Sequence, residues 1–191
     1  HHLKKILKDQ GYTTNVGDEG GFAPNLPTET DALQAMCDAI QKSGYVLQKE
    51  IGLALDVASS EFYSKKKYRV ALDHEPLDST ALAQFYIELL KKFPSLISIE
   101  DPFAEDDWEG WQYFTKQMTQ QYPKLMIIGD DLLVTNPKRL EKAVAAKSCN
   151  AILIKLNQIG TVSETAQTMN ISFQAVFKAI VSDRSGETED P

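Results

Sequence analysis

A chain of 191 residues is long enough for one sizeable domain with a real core. Hydrophobic residues at 42% and charged residues at 25% are ordinary for a soluble globular protein. The net charge of -7 argues against a nucleic-acid surface, whose footprint is a basic stripe, yet it leaves room for an anionic substrate held by local positive charge.

The first distinctive segment is the loop Asn15–Asn25, NVGDEGGFAPN. Glycines at 17, 20 and 21 permit positive φ or close backbone approach, and they bracket Asp18 and Glu19. This reads either as an acid or base held on a tight active-site loop or as an ordinary surface turn. Thr28 is an N-cap candidate with Asp31 three residues on, opening a helix whose apolar face is Leu33, Met36 and Ile40. Ile51–Asp56 reads as a buried strand ending in a carboxylate, and Tyr63–Leu77 as a hairpin-like excursion.

Ser79 precedes a helix carrying Leu82, Phe85, Tyr86, Leu89 and Phe93. Leu96–Glu100 repeats the apolar strand with an acidic end, and Trp108, Trp111, Phe114 and Met118 mark the next helix. Leu125–Asp130 is a third such strand, followed by an Asn136–Pro137 helix start. Ala151–Lys155 ends in lysine instead, Thr161 or Ser163 opens a last helix, and Lys178–Ser182 is a fifth, weaker strand. Continuous apolar runs of this kind are expected to be buried on both faces. The aromatic stripes read as core.

Strands alternating with helices imply parallel strands joined by right-handed crossovers. Doubly wound sheets and barrels both fit, but polar groups at successive strand ends favour a β/α barrel. The fold class is therefore α/β, an incomplete TIM-like barrel with about five of its eight strands. No repeat, linker or second domain is visible, so residues 1–191 form one partial domain.

Asp56, Glu100 and Asp130 converge if their strands are neighbours. Oxygen ligands without histidine or cysteine suit a hard cation such as Mg²⁺. Each acid alone reads as a strand cap or a lysine partner, and three in succession carry more weight. Lys155 at the next strand end is either a proton-abstracting base in a dry site or an ion-pair partner of the acids. Asp183 is followed by Arg184 and Ser185, which can bind a phosphate or carboxylate. Cys37 and Cys149 sit in no metal-ligand spacing and imply no disulfide framework, which favours a reducing, cytoplasmic setting. No membrane span or signal peptide is seen, and the absence of an initiator Met with an end at Pro191 reads as a fragment.

Together NVGDEGGFAPN, LALDVASSEFY, SIEDPFAEDDWEGW, GDDLLVTNPKRL, ILIKLNQIGTVSET and RSGETED resemble the enolase (phosphopyruvate hydratase) family. They are ordered as in that family and span nearly the whole chain. The resemblance implies a cytoplasmic, homodimeric glycolytic lyase that interconverts 2-phosphoglycerate and phosphoenolpyruvate with Mg²⁺. It implies Glu19 as general acid, Lys155 as base, Asp56, Glu100 and Asp130 as metal ligands, and Arg184 and Ser185, beside Asp183, at the substrate phosphate. Spacing to Lys155 selects Asp130 over Asp131 for the metal.

Three departures stand out. Asp183 replaces the family's histidine, and at about 4 Å with an effective dielectric of ~20 a like-charge contact costs roughly 4 kcal/mol. Weaker substrate binding is expected from it. The segment Phe173–Lys178 lacks the family's glycine, and Pro191 stands where the family continues into a helix. The family's N-terminal domain, final barrel strands, second substrate glutamate, downstream lysine and lid loops have no counterpart, so catalysis by this chain alone is not expected. A non-catalytic enolase-like pseudo-enzyme or binding protein is the alternative. Some family members are surface plasminogen receptors, and Lys65-Lys66-Lys67 is a conceivable binding run, though such a run reads more plainly as a solvated turn. A different acid lyase of the wider superfamily fits the motifs poorly.

Overall fold

The computed structural model describes residues 1–17, 20–70 and 75–183. Helix α1 (His2–Asp9) leads through the Asn15–Asn25 loop to α2 (Glu29–Lys42). Strand β1 (Leu53–Asp56), a 3-10 turn at Ser59–Phe62 and the small hairpin β2 (Tyr63–Ser64) and β3 (Lys67–Tyr68) follow. Then come α3 (Ser79–Lys92), β4 (Leu96–Glu100), α4 (Trp108–Gln121), β5 (Met126–Gly129), α5 (Pro137–Ala146), β6 (Ala151–Ile154), α6 (Leu156–Ile159), α7 (Val162–Gln174) and β7 (Lys178–Val181).

The long strands pair in parallel in the order β1-β4-β5-β6-β7. Each crossover is a helix, as parallel pairing requires. Among the described residues β1 and β7 are sheet edges, so the five strands form an open arc of an α/β barrel.

The expected caps are present. Thr28 and Asp31 form a reciprocal capping box, Asn136 caps α5 with Pro137 in its first turn, and Thr161 rather than Ser163 caps α7. Asp78, not Ser79, caps α3, leaving Ser79 as its first residue. In α2, Leu33 and Cys37 enter the main core while Ala35 and Ala39 pack on Ile6 of α1. The helix is thus buried on two sides, and Met36, expected in the core, is 40% exposed.

Helices cover one face of the sheet. There Leu53, Ile99, Ile127, Ile152 and Ile154 pack on Leu82, Tyr86, Trp111, Phe114, Leu140 and Ala143. Tyr86, Phe103 and Phe114 meet ring to ring at 5.5–6.0 Å, each pair contributing about 1 kcal/mol beyond its buried area. The aromatic stripes are core, as expected.

The concave face holds a smaller cluster of Ile128, Ala151 and Leu153 with Met126 and Ile180. Among the described strands only β6 is buried at every position. Ile97 on β4 is 46% exposed and Val181 on β7 is 71% exposed. The expected burial on both faces therefore does not hold along every strand.

The Lys65-Lys66 run is a hairpin turn. Both lysines have positive φ, 51° and 60°, as the tight β2–β3 connection demands.

Candidate active site at the strand ends

Side chains alternate across a strand, so positions two apart share a face. Asp56 lies two residues beyond Ala54, and Glu100 two beyond Ser98. Asp130 lies two beyond Ile128, and Lys155 two beyond Leu153. All four follow the concave-face positions to the C-terminal rim of the sheet, where barrel enzymes place their chemistry. The register agrees: Asp56 pairs with Glu100, and Glu100 with Ile128. Asp56 and Glu100 are the last residues of their strands, whereas Asp130 and Lys155 stand one step past theirs.

Lys155 Nζ donates to Asp130 Oδ2 at 2.5 Å, with both side chains mostly buried. Gln158 Nε2 donates to Asp130 Oδ1 at 2.7 Å. The backbone makes this possible. A Cβ at Gly129 would lie 2.9 Å from the Leu133 side chain, so any larger residue would force Leu133 to move in the turn that follows. Val134 and Thr135 then adopt positive φ of 43° and 53°, an uncommon state for β-branched residues.

Asp101 was not singled out by the sequence. It is 2% exposed, its own φ is 41°, and its carboxylate accepts the N–H groups of Asp130 at 3.0 Å and Asp131 at 2.8 Å. It ties the end of β4 to the turn after β5. Burial pushes its carboxyl up to about 8, against the pull of those two amides. The only trace in the sequence is the second acid of Glu100-Asp101.

The remaining acids are electrostatically uneasy. Burial, then the negative charges of Asp56 and Asp130, push Glu100 up to about 7. Asp56 is raised by burial and by Asp130 and Asp131, while the Ala58 N–H at 3.1 Å pulls the other way. Lys155 lowers both. One lysine among this many acids leaves a negative, oxygen-only cluster, the donor chemistry that a hard divalent cation fits. Carboxylate oxygens of Asp101, Asp130 and Asp131 lie within 4.8 Å of one another. Asp101 has both oxygens engaged by backbone amides, which suits it to hold the turn, whereas the Asp130 oxygens are engaged by the side chains of Lys155 and Gln158.

The SIEDPFAEDDWEGW segment is mostly scaffold. Asp107 caps α4 through Gly110 N–H, and its other oxygen accepts Tyr68 and Ser79 hydroxyls, each at 2.6 Å. Trp111 Nε1 donates to Ala104 O. These bonds fix the connection that follows Glu100.

Glu19, Arg184 and Ser185 lie outside the described residues. The loop around the first is closed by Gly17 N–H to Gly21 O at 2.9 Å and by a Val16–Phe22 bridge. Asp183 is exposed, two residues past the end of β7 at the same rim. Among the described residues no helix is long and apolar enough to cross a membrane.

Residues 1–191 match the family model described as enolase, C-terminal TIM barrel domain. The match covers the entire chain, and the strand order, helix crossovers and rim acids accord with it. The chain belongs to the enolase C-terminal TIM barrel domain family.

Proposed function

We propose that this chain carries part of a glycolytic enolase site, whose reaction is the reversible dehydration of 2-phosphoglycerate to phosphoenolpyruvate. The observation that carries the reading is the Lys155–Asp130 contact, set beside Glu100 and Asp56 on one rim. In this reading Asp56, Glu100 and Asp130 would hold Mg²⁺. When bound, the ion supplies positive charge beside the substrate carboxylate, where proton removal builds a second negative charge.

Lys155 Nζ, having first released the proton of its resting ion pair and become a neutral amine, would accept the proton from the carbon next to that carboxylate, and Asp130 would lie against the ammonium that results. Glu19 gives its proton to the departing hydroxyl, which leaves as water. Arg184 and Ser185 bind the phosphate, with Asp183 beside them as an unfavourable like charge. Closing an eight-stranded barrel around the substrate requires strands beyond these five. The complete protein is a cytoplasmic homodimer in the same reading.

One observation favours a second reading, a non-catalytic enolase-like binding protein: Asp183 places a negative charge at the phosphate end. Phosphoenolpyruvate absorbance from 2-phosphoglycerate, with and without Mg²⁺, separates the two, using this chain and its full reading frame. Mg²⁺-dependent product that disappears in Lys155→Ala supports catalysis. No product from the full frame supports the binding protein.

A further inference from the structure

Asp130 and Lys155 are joined by more than their direct contact. The Lys155 backbone N–H donates to Thr135 Oγ1 at 2.9 Å. The Thr135 hydroxyl donates to Gln158 Oε1 at 2.7 Å. Gln158 Nε2 donates to Asp130 Oδ1 at 2.7 Å, and Lys155 Nζ donates to Asp130 Oδ2 at 2.5 Å, which closes the circuit. The four residues form a closed ring across two adjacent strand ends. Every donor in it has an acceptor, so rotating one side chain breaks a bond elsewhere.

Thr135 is the least expected member. It is fully buried and has a φ of 53°, which a β-branched residue adopts only under constraint. Its carbonyl accepts the Thr168 hydroxyl of α7 at 2.8 Å, which pins it from behind. The backbone there would accept glycine readily, but glycine has no hydroxyl to close the ring.

We infer that Thr135 and Gln158 are positioning residues that hold the Asp130 carboxylate and the Lys155 amine in one fixed arrangement. The inference rests on the proposed role of Asp130 as a metal ligand. Gln158 fixes which Asp130 oxygen faces Lys155 and which is held away from it. Thr135 fixes Gln158 and the start of α6 together. Partners behind metal ligands typically change metal affinity 10- to 100-fold when removed.

The test is Mn²⁺ affinity by titration calorimetry on the whole chain, with urea midpoints as a folding control. Thr135→Val keeps the branched shape and deletes the hydroxyl, and Thr135→Ser restores it. The expected result is Mn²⁺ binding weakened about 10- to 100-fold in Thr135→Val and Gln158→Leu, with Thr135→Ser restored to near the wild type. If Thr135→Val fails to fold, Gln158→Leu, on the half-buried α6, carries the test. Wild-type affinity in folded Thr135→Val and Gln158→Leu, with binding lost in Asp130→Asn, overturns this inference alone. No Mn²⁺ binding by the wild type overturns the proposed function and this inference with it.

Discussion

Asp56 and Glu100 are register partners on adjacent parallel strands, so their carboxylates share one face and one end of the sheet. Burial makes both charges harder to form, and the charge of Asp56 adds to the cost at Glu100. A site built this way holds unfavourable electrostatic energy that a bound cation relieves.

The pH dependence of stability follows from Glu100. Its folded value of about 7 lies above its ordinary value of 4.5, so the native state holds more protons than the unfolded chain between those limits. Stability from this group is full below about pH 4.5 and is lost as pH rises through 7. Glu100→Gln should remove this group's share of the decline and leave the share of Asp101, whose carboxyl is also raised, to about 8. Above pH 7 the variant should be more stable by about 1 kcal/mol, after discounting a half-buried group for solvent screening. Urea midpoints from pH 5 to 8 measure it, and a decline in Glu100→Gln as steep as that of the wild type contradicts the assignment.

Asp101→Ala should cost about 2–3 kcal/mol, because it strands the Asp130 and Asp131 amides that the carboxylate now accepts. Chemical denaturation reads the loss. A change below about 0.5 kcal/mol, the range of ordinary surface substitutions, would mean that the turn after β5 holds without this carboxylate.

The β2–β3 turn offers the opposite sign. Lys65 and Lys66 both occupy left-handed backbone that suits Asn-Gly. Lys65→Asn combined with Lys66→Gly should stabilise the chain by about 1 kcal/mol, seen as a higher melting temperature. An unchanged or lower melting temperature would argue against a strained turn.

Much of the fold was legible because apolar runs and caps are local signals. Thr28, Asn136 and Thr161 cap helices as their types predict, and five apolar runs became five strands. Met36 misled because α2 is buried on two sides, one side facing α1 through small alanines. The same pattern cannot say how completely the neighbouring elements cover each apolar position, so exposure of Ile97 and Val181 was hidden. Strand-end acids and Lys155 stood out because charge rarely closes apolar runs. Asp101, Thr135 and Gln158 did not, since their partners lie 20–30 residues away in sequence and meet only after the sheet forms.

Asp56, Glu100 and Asp130 are proposed to hold one divalent cation together. Mn²⁺ binding followed by electron paramagnetic resonance tests it directly, in the wild type, Asp56→Asn, Glu100→Gln and Asp101→Asn. The account predicts one site, lost or weakened at least 100-fold in Asp56→Asn and Glu100→Gln and weakened only about 10- to 100-fold in Asp101→Asn. Wild-type affinity in Asp56→Asn and Glu100→Gln, with binding abolished in Asp101→Asn, would contradict it and move the metal to the Asp101, Asp130 and Asp131 grouping.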